Sequence, residues 1–147
     1  MAHRLKCRLL LLTLLLLGLS TVGSWAAPPA QAYLARQFLL AVLRGRYAEA
    51  YRLLDPAVQA ALSPRQFRQA AAPLYQRGQQ AGPGGIELYR LGLRIGENDD
   101  VRWFYAFTFR RDSVAPAPVQ LDVTFRDSTA TGVLEFRLVP GKVRPVR

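Results

Sequence analysis

Hydrophobic positions fall into three regimes along the chain. Leu9 to Leu19 is almost unbroken leucine, interrupted only by Thr13 and Gly18. From Gln31 to about Arg77, apolar residues recur three and four apart, the period of a helix with one buried stripe. From Ile86 onward they alternate with polar residues, the period of a strand with one buried face.

The helical regime divides at its punctuation. Gln31 to Leu43 is predicted as a first helix, with Leu34, Phe38 and Val42 on one row and Gly45 placed to end it. Tyr47 to Leu54 is a second, stopped at Asp55-Pro56 because a residue before proline is pushed out of the α region. Ala57 to Leu62 adds a short turn. Ser63-Pro64-Arg65-Gln66 matches a capping box, with Leu62 and Phe67 as its hydrophobic staple. A third helix is expected from Pro64 to about Arg77, with Gly78 as its stop and Pro73 as a candidate kink.

Four strands follow: Glu87–Ile95, Val101–Arg111, Val119–Arg126 and Val133–Val139. A turn at 96–100 would place Leu93 opposite Trp103 and Leu91 opposite Tyr105, with Phe104 outward over Gly92. The last turn would set Asp122 opposite or diagonal to Arg137. Helices first and strands after, joined by short loops, predict an α+β domain. Its helices would pack on one face of a four-stranded antiparallel meander, leaving the other face polar.

The leucine run has a different meaning. It follows His3, Arg4, Lys6 and Arg8 with no acidic residue, and it ends in Ser24-Trp25-Ala26-Ala27. A charged start, an apolar middle and small residues at −3 and −1 are the parts of a secretory signal, so residues 1–26 are expected to be cleaved after Ala26. The alternative is an uncleaved anchor, since Leu9 to Ala27 is 19 residues, about the length that spans a bilayer. The sole cysteine, Cys7, precedes the apolar run and so does not fit a lipid attachment site. The export reading leaves a domain at 27–139 and a basic tail at 140–147, periplasmic or extracellular.

Cleavage would also remove the only Cys, His and Met of the chain. The remainder has no disulfide, no Ser-His-Asp or Cys-His nucleophile system and no zinc site of the usual ligands. No cofactor and no metal is expected. Removing Arg4, Lys6 and Arg8 from 20 basic residues leaves 17 against 10 acidic, all arginine but Lys142. Such a surface suits an anionic envelope component; an exported protein is not expected to meet nucleic acid.

The stretch Phe38 to Gln79 resembles the opening of a bacterial family of unknown function. The residues that carry the likeness are Gly45, Tyr47, Ala50, Leu54-Asp55 and Leu62-Ser63-Pro64-Arg65-Gln66, followed by the four-strand tail. That family lies in the nuclear transport factor-like (ketosteroid isomerase-like, SnoaL-like) superfamily. The resemblance implies a cystatin-like cone, with N-terminal helices on the concave face of a curved four-stranded antiparallel sheet. It leaves activity open, because its members include enzymes, ligand binders, dimerisation modules and secreted non-catalytic domains.

Two sets of residues are candidates for a site. Tyr47, Tyr51, Trp103, Tyr105 and Phe107 would either line a pocket for a small apolar ligand or form core. Arg90, Arg94, Arg102, Arg110, Arg126 and Arg137 lie on the polar sheet phase, where they would meet an anionic partner, a second copy in a homodimer, or solvent. Asp122 and Glu135 fall on the same phase and are expected to face solvent. The turn Glu97-Asn98-Asp99-Asp100 lacks the spacing of a calcium loop, and Gly82-Pro83-Gly84-Gly85 precedes a strand, where a phosphate loop would precede a helix. The expected function is a non-catalytic exported module binding a partner or small ligand. The alternatives are an isomerase or cyclase using a pocket carboxylate and tyrosine, and a tethered envelope protein with an anion-binding surface.

Overall fold

The computed structural model describes residues 30–96, 98–112 and 118–141. The signal at 1–26, the leader that follows it, Glu97 and most of the basic tail lie outside the described residues. Among those described, no helix is long and apolar enough to cross a membrane.

Four helices come first: α1 (Ala30–Leu43), α2 (Tyr47–Arg52), α3 (Pro56–Ala61) and α4 (Pro64–Ala81). The α1 stop is the expected one. Gly45 adopts φ +73°, and the amides of Gly45 and Arg46 close back on the carbonyls of Val42 and Ala41. Asp55 caps α3 through Ala57, and Ser63 and Gln66 form the capping box of α4.

Two helix ends depart from expectation. α2 ends at Arg52 because Leu54 leaves the helix to bridge Val133 in parallel. α4 runs through both Pro73 and Gly78 and stops only at Gly82, φ +73°. Gly78 serves close packing: a Cβ there would lie 2.6 Å from Cδ2 of Leu43. The helix crosses at that point, so the glycine reads as a contact and not as a terminator.

The sheet is a meander, β1 (Ile86–Ile95), β2 (Val101–Phe109), β3 (Val119–Phe125) and β4 (Glu135–Pro140), antiparallel throughout in that order. The expected register holds: Leu93 pairs Trp103, Leu91 pairs Tyr105, Gly92 pairs Phe104 and Asp122 pairs Arg137. One feature escaped the alternation rule, an irregularity between Leu88 and Arg90 that shifts β1 by a residue.

α1 lies across the sheet, against β1, β2 and β3, with α2 and α4 packed on it. Phe38, Leu39 and Val42 from α1 meet Phe67 and Leu74 from α4 and Phe107, Leu121, Val123 and Phe125 from the sheet, all essentially sealed from solvent. Fully burying one such side chain contributes about 1.5–3 kcal/mol. Gln31 is buried among them and satisfied. Its amide donates to the carbonyls of Asp127 and Ala130 at 2.8 Å, and its oxygen accepts from the Tyr105 hydroxyl at 3.2 Å. Two residues past Ala130, Gly132 passes so close to Asp55 that a Cβ would sit 2.6 Å from its Cα.

The other sheet face is not the solvated surface its polarity suggests. Phe104, Ala106, Thr108, Asp122 and Thr124 on that face are all buried.

Candidate functional site

A groove of about 490 Å³ opens between α2 and the first turns of α4. Helical spacing makes it: Tyr47 and Tyr51 stand one turn apart on α2, and Phe67 rises between them from α4. Phe67 is fully buried and forms the floor. Its ring meets Tyr51 edge-on at 5.7 Å and Tyr47 at 6.5 Å between centroids. The Tyr51 hydroxyl lies 2.9 Å from the Gln59 carbonyl and 2.8 Å from that of Leu62, donating its one proton to either. This bond braces the groove wall against α3 and leaves the phenol no donor for a ligand.

The rim is cationic. Arg52, Arg65 and Arg68 border the groove. None of the three has a carboxylate partner among the described residues. Arg68 sits over the Tyr47 ring at 5.3 Å. Glu49, the one carboxylate on α2, turns to Arg46 at 3.2 Å. The start of α4, at Pro64 and Arg65, adds the positive end of its helix dipole. An aromatic floor under three uncompensated guanidinium groups suits an apolar body bearing one anionic group.

Two other hollows are less suited to that task. The one of about 400 Å³ along α1 and α2 includes Glu49 beside its arginines. The one of about 380 Å³ near Gly82–Gly85 has Arg44 as its single charged residue.

The five aromatic residues singled out from the sequence do not converge. Tyr47 and Tyr51 line the groove, whereas Tyr105 and Phe107 belong to the sealed core and line none of the three hollows described. Burial holds the Tyr105 hydroxyl above its ordinary pKa. Trp103 sits further along β2, half-buried opposite Leu93. The groove arginines were not among the sequence candidates. Their signal was present in the spacing: Arg65 and Arg68 stand three apart on a capped helix, on either side of the staple residue Phe67.

The sheet arginines are largely engaged. Arg94 reaches over β2 to Asp122 at 2.8 Å and Thr124 at 3.2 Å, with its guanidinium 4.7 Å above Phe104. Arg137 approaches Asp122 from the other side at 3.7 Å. Arg90 covers Phe104 at 5.6 Å, and Arg102 bonds Asp100 at 2.6 Å. Arg110 lies past β2, in the short 3₁₀ turn Arg110–Asp112. Arg126 leaves this face and pairs with Asp55 at the cap of α3.

The carboxylates correct one expectation. Asp122 is 1% exposed, because Arg94 and Arg137 close over it. Glu135 is half-buried. Asp55 is also buried, but its Oδ1 caps Ala57 and meets Arg126. Among the described residues no carboxylate bonds Tyr51 or Tyr105, whose hydroxyls serve carbonyl oxygens and Gln31. Asp100 and Asp127 are held below the usual carboxylate range by side-chain hydrogen bonds, from Arg102 and Thr129 respectively. Among the described residues no three His, Cys, Asp or Glu converge as a metal site. Compared with protein families, with curated proteins and with solved structures, the chain finds no match.

Proposed function

We propose that this chain is an exported, non-catalytic binding module whose α2–α4 groove takes a small amphiphile, an apolar or aromatic body carrying a carboxylate or similar anion. The observation that carries the reading is the Tyr47–Tyr51–Phe67 floor beneath Arg52, Arg65 and Arg68. Delivery outside the cytoplasm rests on the charged, leucine-rich and small-residue order of residues 1–26. Helices ahead of a four-stranded meander support placing the fold with the nuclear transport factor-like cone, with the helices in the hollow of a curved sheet. An isomerase-like enzyme is the weaker reading, since the buried carboxylates Asp55 and Asp122 are committed to arginines and a helix cap. An anionic envelope polymer on the sheet arginines is weaker too, because Arg94, Arg102 and Arg137 already face carboxylates.

Titration with 1-naphthoate, followed by amide chemical shifts, tests the groove. Shifts at Ala48, Arg65 and Arg68 are expected, with naphthalene itself binding more weakly. Arg65→Ala with Arg68→Ala is expected to weaken naphthoate binding by about tenfold, roughly one charge-assisted contact. The reading fails if naphthoate at several millimolar moves no α2 or α4 amide.

A further inference from the structure

The inner face of the sheet continues past the helices into an uncovered apolar stripe. Leu91, Leu93 and Ile95 lie on the same phase as the buried Tyr105 and Phe107, yet they are 47%, 57% and 72% exposed. Val101, opposite Ile95, is 52% exposed. Exposed stripes of this kind mark interaction surfaces more often than isolated apolar residues do.

The backbone of the same three residues is unpartnered as well. β1 is an edge strand. The Gly96 amide donates to the Asp100 carbonyl across the turn at 2.8 Å. Backbone groups alternate sides along a strand, so Arg94 and Gly92 also face β2. The N–H and C=O groups of Leu91, Leu93 and Ile95 therefore face the open edge. An edge of bare amides beside bare aliphatic side chains is a template for another strand.

We infer that the occupant is β1 of a second copy of this chain, paired antiparallel about a two-fold axis at Leu93. In that register Leu93 faces itself and Leu91 faces Ile95, giving about six new backbone hydrogen bonds and three aliphatic cross-strand pairs. On the other face Arg94 meets Gly92 of the second copy, a position without a side chain. Centring the axis on Gly92 would set Arg90 directly against Arg94, like charge on like. Centring it on Leu91 would run each strand into the irregularity at Leu88–Arg90.

A lipid surface fits less well. Asp99 and Asp100 sit at the tip of the hairpin, beside Ile95 and Val101, and would meet anionic headgroups. This dimer uses the strand edge and the inner stripe, and it leaves the α2–α4 groove open.

Analytical ultracentrifugation of the chain as recovered from cells, with and without Leu93→Lys, tests the proposal. Leu93 is more than half exposed, so the substitution leaves the fold intact while placing two lysines on the axis. A dimer is expected, with its dissociation constant raised roughly 30-fold or more in the variant, the effect of losing a central contact. Register is read separately with Leu93→Cys in a Cys7→Ser chain. Thiols on the axis would be about 5.5 Å apart between Cα atoms and cross-link on mild oxidation. Leu88→Cys, about 30 Å from its mate along the paired strands, would not. A monomer at every concentration overturns the proposal, as does a dimer indifferent to Leu93→Lys. A monomer that co-sediments with phosphatidylglycerol vesicles through Leu93 reassigns the stripe to lipid. A monomer whose Leu91–Ile95 amides exchange faster once residues 1–26 are removed reassigns it to the chain's own leucine segment. Either result overturns the two-fold pairing.

Discussion

Phe107 on β2 and Leu93 on β1 share the inner phase of one sheet, but Phe107 is 1% exposed and Leu93 57%. The difference is cover, not chemistry. α1 and α4 lie over the middle of β2, β3 and the facing side of β4, while β1 beyond its irregularity runs out from beneath them. Alternation tells which residues share a face; it does not tell whether anything lies on that face. The outer face makes the reverse point. Asp122 is polar and on the nominally solvated side, yet it is sealed because Arg94 and Arg137 fold over it. Arg94 is also the strap that ties the open strand to the packed half, passing over Phe104 to reach β3.

Truncations should separate the two halves most sharply. Phe67→Ala removes a ring that touches Phe38, Tyr47, Tyr51 and Phe136, and is expected to cost about 3–5 kcal/mol. Leu93→Ala in the monomer should cost less than about 1 kcal/mol, because most of the side chain is already wet. Urea denaturation at protein concentrations below dimer formation measures both. Equal losses would mean that the open stripe is packed in solution.

Cutting the strap should have an intermediate effect. Asp122→Ala leaves Arg94 and Arg137 facing each other over a sealed spot, and is expected to cost about 1–3 kcal/mol. The figure stays below that of a fully buried pair because both arginines keep contact with water. Hydrogen exchange in Arg94→Ala should quicken along β1 more than along β3; uniform quickening would show that Arg94 supports the core and not the edge.

The smallest effect is alkaline. Burial raises the Tyr105 pKa above 10.0, so the folded state holds its proton where the unfolded chain has lost it. The stability so held is complete below pH 10 and is lost as pH rises through the folded value. Stability should therefore decline above pH 10, and Tyr105→Phe should flatten that decline although it leaves Gln31 one bond short. An unchanged alkaline slope in the variant would trace the decline to other residues.

Much of the architecture was legible without coordinates, and the groove was half legible. Ser63-Pro64-Arg65-Gln66 announced α4, Gly45 announced the end of α1, and the strand pairs from Leu91–Tyr105 to Asp122–Arg137 followed from turn position and alternation. These are local signals, written within a few residues of where they act. Tyr47 and Tyr51 were picked out, but with Tyr105 and Phe107, which belong to the core.

What escaped was set between elements. Gly78 reads as a stop until Leu43 is seen against it. Leu54 reads as helix until Val133, far along the chain, draws it into a bridge. Arg52, Arg65 and Arg68 are three ordinary surface arginines until α2 and α4 bring them to one rim. By itself the sequence determined the order of helices and strands and the phase of the strands outside the β1 irregularity, because periodicity and capping act over one or two turns. The tertiary structure alone decided which faces were covered, which charges met and where a groove stayed open, because those depend on contacts between residues distant in the chain.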